Sequence, residues 1–429
     1  MPQSATVAPR TAALDLIAAV YEQRRSLSDA RVAPQDSFAA LPPDGRARAA
    51  RLAQETLRQT GRADHLLRRA LRKSPPDRVA WVLHLACVEM LALGAPAHGV
   101  INDAVALTRG WANEPKLTGL VNAVLRQMAQ HTAQDWAQTP VPRLPAWLRG
   151  ALQNAYGTPV TQAIEAAHQQ PAPLDLTLRD PSTLPEGLDA QLLPTGSLRL
   201  HQAGQVSALP GYDGGTWWVQ DAAASLPARL LGAVQGLSVL DICAAPGGKA
   251  MQLAAGGARV CALDMSGPRL VRLRENLART GLVADVAQGD ALHWTPDAPF
   301  DAILLDAPCS ATGTIRRHPE VPHLRSRADV KALCTLQAQL LDRVLDPAQG
   351  LLRAGGRVVY CTCSLLPDEG DAQATAAMTR HNVQAIRVDL PGVPDDWRTP
   401  EGGIRTRPDY WQELGGMDGF YMIVLQHMG

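Results

Sequence analysis

The feature that most constrains the fold is an apolar run that ends in a turn of small residues and leads directly into a helix. The run is Leu237–Ile242, and the chain continues as CAAPGGKAMQLA. Short apolar runs and helical stretches then alternate towards the C-terminus, a pattern that predicts a mostly parallel sheet covered on both faces. The further strands are expected at Arg259–Leu263, Phe300–Leu305, Arg357–Cys361 and Phe420–Gln426, with helices at Pro268–Thr280 and Ala328–Leu345.

Upstream of this region the pattern is helical. Residues 1–138 are expected to form an all-α bundle, and the proline-rich segment Thr139–Pro145 marks its end. Residues 139–215 are expected to be a linker and small subdomain with one helix, Trp147–Tyr156, and 216–429 to be the α/β domain. The first helix expected in the bundle lies in TAALDLIAAVYEQ. The helices expected after it are Arg46–Gln59, Ala63–Lys73, Asp77–Leu93, Val100–Arg109 and Leu117–Gln130.

Composition excludes several classes of protein. The seven cysteines have no regular spacing, which suits a reducing compartment, and the N-terminus lacks the apolar stretch of a signal peptide. No apolar run reaches the length of a membrane span. We therefore expect a cytoplasmic protein that does not bind membranes.

The net charge of zero is unevenly distributed. Residues 1–140 hold 17 Lys and Arg against 12 Asp and Glu, a net of +5, whereas 141–215 and 216–429 are slightly acidic. The N-terminal third is therefore the better candidate for contact with a polyanion, although the same excess also occurs as ordinary surface variation.

The turn after the first strand is a candidate cofactor site. Gly247 and Gly248 allow close approach of a ligand to the backbone, at the carboxyl end of a strand where ligands of such sheets bind. A nucleoside triphosphate loop is excluded because position 243 is Cys and Lys249 is followed by Ala250; a dinucleotide motif is also absent. S-adenosylmethionine, which needs no phosphate cradle, remains.

Acidic residues follow successive strands. Asp264 lies about twenty residues beyond the glycines, where a carboxylate binds both hydroxyls of a ribose. Asp290 is placed to reach the adenine, and Asp306 ends the fourth strand. A single Asp after a strand is more often a helix cap, but three at successive strand ends favour a site.

Two cysteines lie at neighbouring strand ends, Cys309 in DAPCS and Cys363 in YCTCS. Both tips lie on the expected cofactor side of a parallel sheet, so the thiols can converge there. A thiolate that adds to C6 of cytosine makes C5 nucleophilic towards a sulfonium methyl group. Asp306 could then hydrogen-bond the cytosine edge, and Lys249 could favour the thiolate. The remaining cysteines are expected to be structural, and no second ligand pair supports a metal site beside Cys361.

These motifs resemble the RNA cytosine-5 methyltransferase family, the Nop2/Sun or Fmu group, over nearly the whole chain. The resemblance is carried, in the family's order, by VQDAAASLPARLL (Val219–Leu231), LDICAAPGGKA, ALDMS, GDA, LLDAPCSATGTIRRHPE, YCTCSLLPDEG and GGMDGF (Gly415–Phe420). It implies a Rossmann-like class I methyltransferase domain with a mostly parallel seven-stranded sheet. Two positions depart from the family pattern: Cys361, where Ala or Ser is common, and Ala250, where a hydroxyl residue is usual.

The resemblance also implies roles for individual residues. Cys363 would be the nucleophile, Cys309 would assist release of the methylated product, and Asp306 and Lys249 would support catalysis. The contacts to S-adenosylmethionine that it implies are Cys243, Ala244, Ala245, Pro246, Gly247, Gly248, Lys249, Asp264, Asp290 and Asp306.

The N-terminal third resembles the NusB-like RNA-binding domain. The likeness lies in LACVEMLALGAPAHGVINDAVALTR and in LTGLVNAVLRQ (Leu117–Gln127). A NusB-like domain joined to this catalytic domain is typical of bacterial enzymes that methylate 16S ribosomal RNA. In RADHLLRRALRK, the side chains Arg62, Arg69 and Lys73, with Arg72 beside them, are candidates for RNA contact, or else a solvated face.

The expectation is therefore a monomeric, metal-free 16S rRNA cytosine-C5 methyltransferase that acts on an unpaired or loosely paired cytosine. A cytosine-5 methylase of tRNA or 23S rRNA is an alternative. A DNA cytosine methylase would use Cys309 as nucleophile instead. A non-catalytic RNA-binding assembly factor would not need the cofactor turn or the two thiols.

Overall fold

The computed structural model describes residues 7–32, 35–112, 115–200 and 204–428. The helices, numbered along the chain, are α1 (Ala8–Gln23), α2 (Leu27–Val32), α3 (Asp36–Ala39), α4 (Pro43–Ala70), α5 (Asp77–Cys87), α6 (Ala97–Ala112), α7 (Pro115–Met128), α8 (Ala133–Ala137), α9 (Ala146–Ala167), α10 (Leu226–Arg229), α11 (Gly248–Ala255), α12 (Gly267–Thr280), α13 (Val321–Leu324), α14 (Arg327–Leu345) and α15 (Asp371–Arg380).

The strands of the described residues belong to two sheets. They are β1 (Leu174–Leu178), β2 (Gln191–Leu192), β3 (Leu198–Leu200), β4 (Trp217–Val219), β5 (Ser238–Ile242), β6 (Arg259–Asp264), β7 (Asp285–Gln288), β8 (Phe300–Asp306), β9 (Leu352–Thr362), β10 (Val383–Ala385), β11 (Ile404–Thr406) and β12 (Phe420–His427).

The chain forms two compact units, and the first is helical. It comprises Met1–Gly150 together with two later segments, Thr161–Gln170 and Ile315–Ser326. Helices α1 and α4–α7 supply most of its apolar core. The buried guanidinium of Arg10 lies within 2.6 Å of Glu89 and 2.7 Å of Asp103, so the charge on α1 is compensated inside the bundle.

The two helices expected at Arg46–Gln59 and Ala63–Lys73 form a single helix. The boundary predicted between Gln59 and Ala63 is wrong, because α4 runs without interruption from Pro43 to Ala70. Gly61 lies inside this helix against Pro142: a Cβ there would be 2.7 Å from the proline Cβ. The glycine therefore permits close packing within an unbroken helix.

The helix expected at Trp147–Tyr156 is also longer. It continues as α9 to Ala167 with a kink at Gly157, where φ is 80° and the helical hydrogen bonding is interrupted. Pro159 follows within the same stretch.

The second unit contains the expected α/β sheet, and the prediction of this fold class is confirmed. Its strand order is β10-β12-β9-β8-β5-β6-β7, with β11 paired to β12 outside this path. Strands β5 to β9 are parallel to one another, whereas β12 pairs antiparallel with β9, β10 and β11. Within the described residues the sheet therefore has eight strands rather than the seven expected. The carboxyl ends of β5, β6, β8 and β9 therefore lie at one edge, which places the turns that follow them side by side.

A small antiparallel sheet, β2-β3-β1-β4, precedes the large one within the second unit. Its Arg199 is fully buried and pairs with Asp175 at 2.7 Å. The same guanidinium donates to the carbonyls of Leu414 and Gly416. Strands β1 to β3 lie in the 139–215 segment, where the weak sequence pattern predicted no strands, and β4 follows just beyond it. The predicted domain boundaries themselves stay predictions.

Among the described residues, none of the helices combines the length and apolar character that crossing a bilayer requires. Nor does that part of the chain contain a group of three or more His, Cys, Asp or Glu side chains arranged to bind a metal ion.

Candidate active site

The turn between β5 and α11 is shaped by residues with unusual backbone angles. Cys243 has φ of 62° and Gly247 has φ of 107°, both in the left-handed region. A Cβ at Gly247 would lie 3.0 Å from Leu273, so only glycine fits there without displacing α12. The amide groups at the start of α11 are thereby exposed to a ligand at the sheet edge.

Asp264 closes the turn from the neighbouring strand. One carboxylate oxygen accepts the amide of Ala245 at 3.1 Å and the other accepts that of Ser266 at 2.9 Å. Arg269 on α12 lies 3.4 Å from the first oxygen and also donates to the Ala245 carbonyl. An ionised carboxylate has about four acceptor positions, so Asp264 can still accept hydroxyl groups of a ribose.

Asp241 is a site residue that the sequence analysis missed. It lies within β5 with no solvent exposure, and neither carboxylate oxygen has a hydrogen-bond partner. Burial raises the pKa of Asp241 to about 8, opposed by nearby Lys249. The sequence feature that could have identified Asp241 is an acidic residue inside the otherwise apolar run SVLDI.

An orphaned carboxylate beside a glycine-shaped turn fits S-adenosylmethionine. The ammonium group of that cofactor would give Asp241 the cationic partner it lacks, and the first amides of α11, which have no intrahelical acceptor, suit its carboxylate. The residues named as cofactor contacts in the turn, from Cys243 to Lys249, lie at the same sheet edge as Asp264 and Asp306, which end β6 and β8. Their contacts with a cofactor stay predictions.

Asp306 lies at the end of β8 and is held from two sides. Lys249 donates to its Oδ2 at 2.8 Å, and the thiol of Cys361 donates to Oδ1 at 3.4 Å. Burial alone would lower the pKa of Lys249, but the carboxylate of Asp306 raises this pKa above its usual value. Lys249 is thus a fixed cation that orients Asp306, and it also lies 5.3 Å from the centre of the Phe420 ring.

The two thiols singled out in the sequence meet. The Sγ atoms of Cys309 and Cys363 are 3.4 Å apart and both residues are partly accessible. Their turns are also joined by the backbone, since Gly313 donates to the carbonyl of Cys363. The contact with Cys363, together with burial, raises the pKa of Cys309 well above its usual value. Cys309 is thus kept as a neutral thiol, the form that can give up a proton.

Not every expected residue joins this cluster. Asp290 is exposed, and its carboxylate accepts the amide of Leu292 at 3.0 Å. This hydrogen bond holds the pKa of Asp290 below its usual value. The carboxylate also contacts the ring of His293. It follows β7 at the same sheet edge as Asp264. Its proposed contact with adenine stays a prediction.

The candidate RNA contacts on α4 and after it are unequal. Arg69 and Lys73 are exposed. Arg62 is half-buried, and its guanidinium donates to the carbonyls of Trp136 and Thr139, both at 3.1 Å. Arg62 therefore already has a structural role within the helical unit, whereas the other two side chains have free charge to offer to a phosphate.

Both parts of the chain match known protein families. Residues 228–426 match the family described as 16S rRNA methyltransferase RsmB/F, and residues 7–130 match the NusB family. The ribosomal RNA small subunit methyltransferase B of Salmonella arizonae is 36% identical over 413 residues, which covers 90% of this chain and 93% of that protein.

Solved structures show the same architecture. The crystal structure of PH0851 has a TM-score of 0.74 at 18% identity and covers 99% of this chain and all of its own. A methyltransferase homolog protein from Pyrococcus horikoshii has a TM-score of 0.55 at 25% identity, covering 65% of this chain and 94% of its own. On its sequence and its domain content, the chain belongs to the 16S rRNA methyltransferase RsmB/F family, with a NusB domain at its N-terminal side.

Proposed function

We propose that this ribosomal RNA methyltransferase methylates C5 of a cytosine in 16S ribosomal RNA through a covalent bond between Cys363 and C6 of the base. S-adenosylmethionine is its cofactor and supplies the methyl group. The observation that carries the proposal is the 3.4 Å approach of two free thiols beside the Asp306–Lys249 pair. A methyl transfer to an exocyclic nitrogen or a ribose hydroxyl needs no such pair of sulfurs.

The chain's own groups divide the work as follows. The Cys363 sulfur adds to C6, while Asp306, fixed by Lys249, hydrogen-bonds the polar edge of the pyrimidine. After methylation a water molecule accepts the C5 proton, the electron pair of the C5–H bond forms the C5–C6 double bond, and the Cys363–C6 bond breaks with its electron pair returning to sulfur. Cys309, which lies against Cys363 and holds its own proton, is placed to donate that proton to the departing sulfur.

The substrate assignment rests on the names of relatives and on the helical unit. The Salmonella arizonae relative is named for the small subunit ribosomal RNA. Because a base must leave its stack to reach a thiol at a sheet edge, an unpaired or loosely paired cytosine is the favoured target.

The two cysteines can be distinguished by substitution. Cys363→Ala should reduce turnover on the order of 10⁴-fold or more, since the nucleophile is lost. Cys309→Ala should form the RNA adduct and release it slowly, so a protein–RNA band that resists denaturation accumulates on gels. Cys261→Ala is the matched control, because Cys261 is a free thiol on β6 outside the cluster. An active Cys363→Ala together with an inactive Cys309→Ala would reverse the roles.

The target base is identified in cells. Bisulfite sequencing of ribosomal RNA from a strain lacking this protein should show loss of a 5-methylcytosine in 16S RNA, and the wild-type gene, but not Cys363→Ala, should restore it. If the 5-methylcytosine is lost from tRNA or 23S RNA instead, that RNA is the substrate and the assignment to 16S RNA is wrong.

A further inference from the structure

The turns that carry the two cysteines share one buried acid, Glu369. It has no solvent exposure and lies in the short turn after β9. Oε1 accepts the amide of Ser310 at 2.8 Å and the side-chain amide of Gln337 at 3.2 Å. Oε2 accepts the hydroxyl of Ser364 at 2.6 Å and also that of Ser310. Each serine directly follows one of the two cysteines in the sequence.

The same acid is anchored to the sheet through its backbone. The Glu369 carbonyl accepts the hydroxyl of Tyr360 at 2.7 Å and that of Thr362 at 3.2 Å, both on β9. Gln337, from α14, also donates to the carbonyl of Pro308 at 2.8 Å, immediately before Cys309. Strand, helix and both cysteine turns therefore converge on one carboxylate.

We propose that Glu369 is the positioning residue for the two thiols: its carboxylate holds the turn of Cys309 and the turn of Cys363 together and sets the distance between the sulfurs. The catalytic meaning of this proposal rests on the proposed function of the two cysteines. The claim that Glu369 sets the distance between their Sγ atoms does not depend on that function. Glu369 does not touch either sulfur and is not a catalytic residue.

The chemistry of the side chain explains why an acid is used. A carboxylate is an acceptor at both oxygens, so it can receive hydrogen bonds from both turns at once. In a glutamine the single acceptor oxygen can keep the amides of Ser310 and Gln337, but the NH2 group then faces the hydroxyls of Ser310 and Ser364, which have to become acceptors instead of donors. All four donors to Glu369 in the structure are neutral groups. Burying this charge is costly and is offset only by complete hydrogen bonding.

The first experiment measures the sulfur–sulfur distance without relying on activity. Dibromobimane bridges two neighbouring thiols, and mass spectrometry of the digest identifies a Cys309–Cys363 link. We expect wild-type protein to form this link in high yield and Glu369→Gln to lose most of it. The matched control is Asp368→Asn, the same change of charge one residue earlier on an exposed side chain, which should link like the wild type.

The second experiment separates positioning from folding. Glu369→Gln should lower kcat on the order of 100-fold, the effect of a misplacement of about 1 Å, while the KM for RNA and the affinity for S-adenosylmethionine stay unchanged. Alkylation of Cys309 should also move to lower pH, since the Glu369 charge contributes to the raised pKa of this thiol. A purely structural role would lower the melting temperature but leave the yield of the bimane link and kcat of the folded variant at wild-type values.

Wild-type linking and wild-type kcat in Glu369→Gln would overturn the proposal. If that variant does not fold, Ser310→Ala, which removes one hydroxyl from the carboxylate, decides in the same two assays, and wild-type results in both would again overturn it. If Cys363→Ala keeps full methylation, the proposed function fails, but the bimane link still reports whether Glu369 sets the distance.

Discussion

At the scale of single residues, the buried Asp241 reduces the stability of the folded protein at neutral and alkaline pH. Its carboxylate is buried without a hydrogen-bond partner, and burial raises the pKa of Asp241 from 3.8 to about 8. Between these two values the folded protein holds a proton that the unfolded chain has released. The free energy of unfolding therefore decreases as the pH rises from about 4 to about 8.

Asp241→Asn should remove this dependence on pH. Without the cofactor, we expect the variant to be more stable than the wild type at pH 8.5 and to lose most of that advantage at pH 5, measured by urea denaturation. Affinity for S-adenosylmethionine should fall about tenfold or more, as for loss of a hydrogen bond to a charged group. Parallel stability curves for the two proteins would contradict the assignment of this group.

Site residues that belong to a local sequence motif could be predicted from the sequence. The glycine turn and the two thiols were recognised because each lies where an apolar run ends. Asp241 and Glu369 were not, because their significance depends on what surrounds them. The carboxylate of Asp241 lacks a hydrogen-bond partner, and that of Glu369 accepts four hydrogen bonds from three residues, two of which are distant in the sequence. No sequence pattern shows such a hydrogen-bond count.

At the scale of elements, the expected strands agree closely with β5, β6, β8 and β12, whereas β9 begins five residues earlier than expected and β7, β10 and β11 were given no bounds. The expected bounds of α12 and α14 also agree, whereas the break expected within α4 is wrong. An apolar run buried on both faces ends where its strand ends, as with β5 and β6. In α4, by contrast, tertiary packing of Gly61 against Pro142 overrides the weak helix propensity of glycine.

Two glycine substitutions test this packing. Gly61→Ala should destabilise the protein by about 1–3 kcal/mol, because the new methyl group would overlap Pro142. Gly119→Ala is the matched control within α7: a Cβ there has nothing within 4 Å, so alanine should stabilise by about 0.5–1 kcal/mol. Thermal melts of both variants give the signs, and a stabilised Gly61→Ala would mean that the helix can move away from Pro142.

At the scale of the whole molecule, the charge of the N-terminal third bears on RNA binding. Arg69 and Lys73 are exposed, whereas the guanidinium of Arg62 is occupied by carbonyl groups. If the first two contact phosphates, each alanine substitution should weaken RNA binding and reduce the slope of log affinity against log salt by about 1.

Arg62→Ala is the contrasting variant for the same titration. It should lower the melting temperature, because the carbonyls of Trp136 and Thr139 lose their donor. Fluorescence anisotropy of a labelled RNA over a range of salt concentrations measures the slopes. Unchanged slopes for Arg69→Ala and Lys73→Ala would remove both from the RNA surface.

The helical unit is discontinuous along the chain, which no local pattern reveals. Residues 315–326 follow the Cys309 turn, yet they pack with the N-terminal helices. His323 packs edge-on against Tyr21, Gln54 donates to the carbonyl of Arg317, and Arg58 donates to that of Arg316. Membership of a unit is decided by contacts between distant segments, and sequence periodicity carries no information about these.

This discontinuity has a consequence for biosynthesis. A growing polypeptide folds from its N-terminal end as it leaves the ribosome, but here the bundle cannot complete its own packing when residue 150 emerges. It must wait for more than 160 further residues, by which time β5 to β8 have also been made. A nascent chain arrested before residue 315 should therefore expose the bundle to protease, and one arrested well beyond residue 326 should protect it.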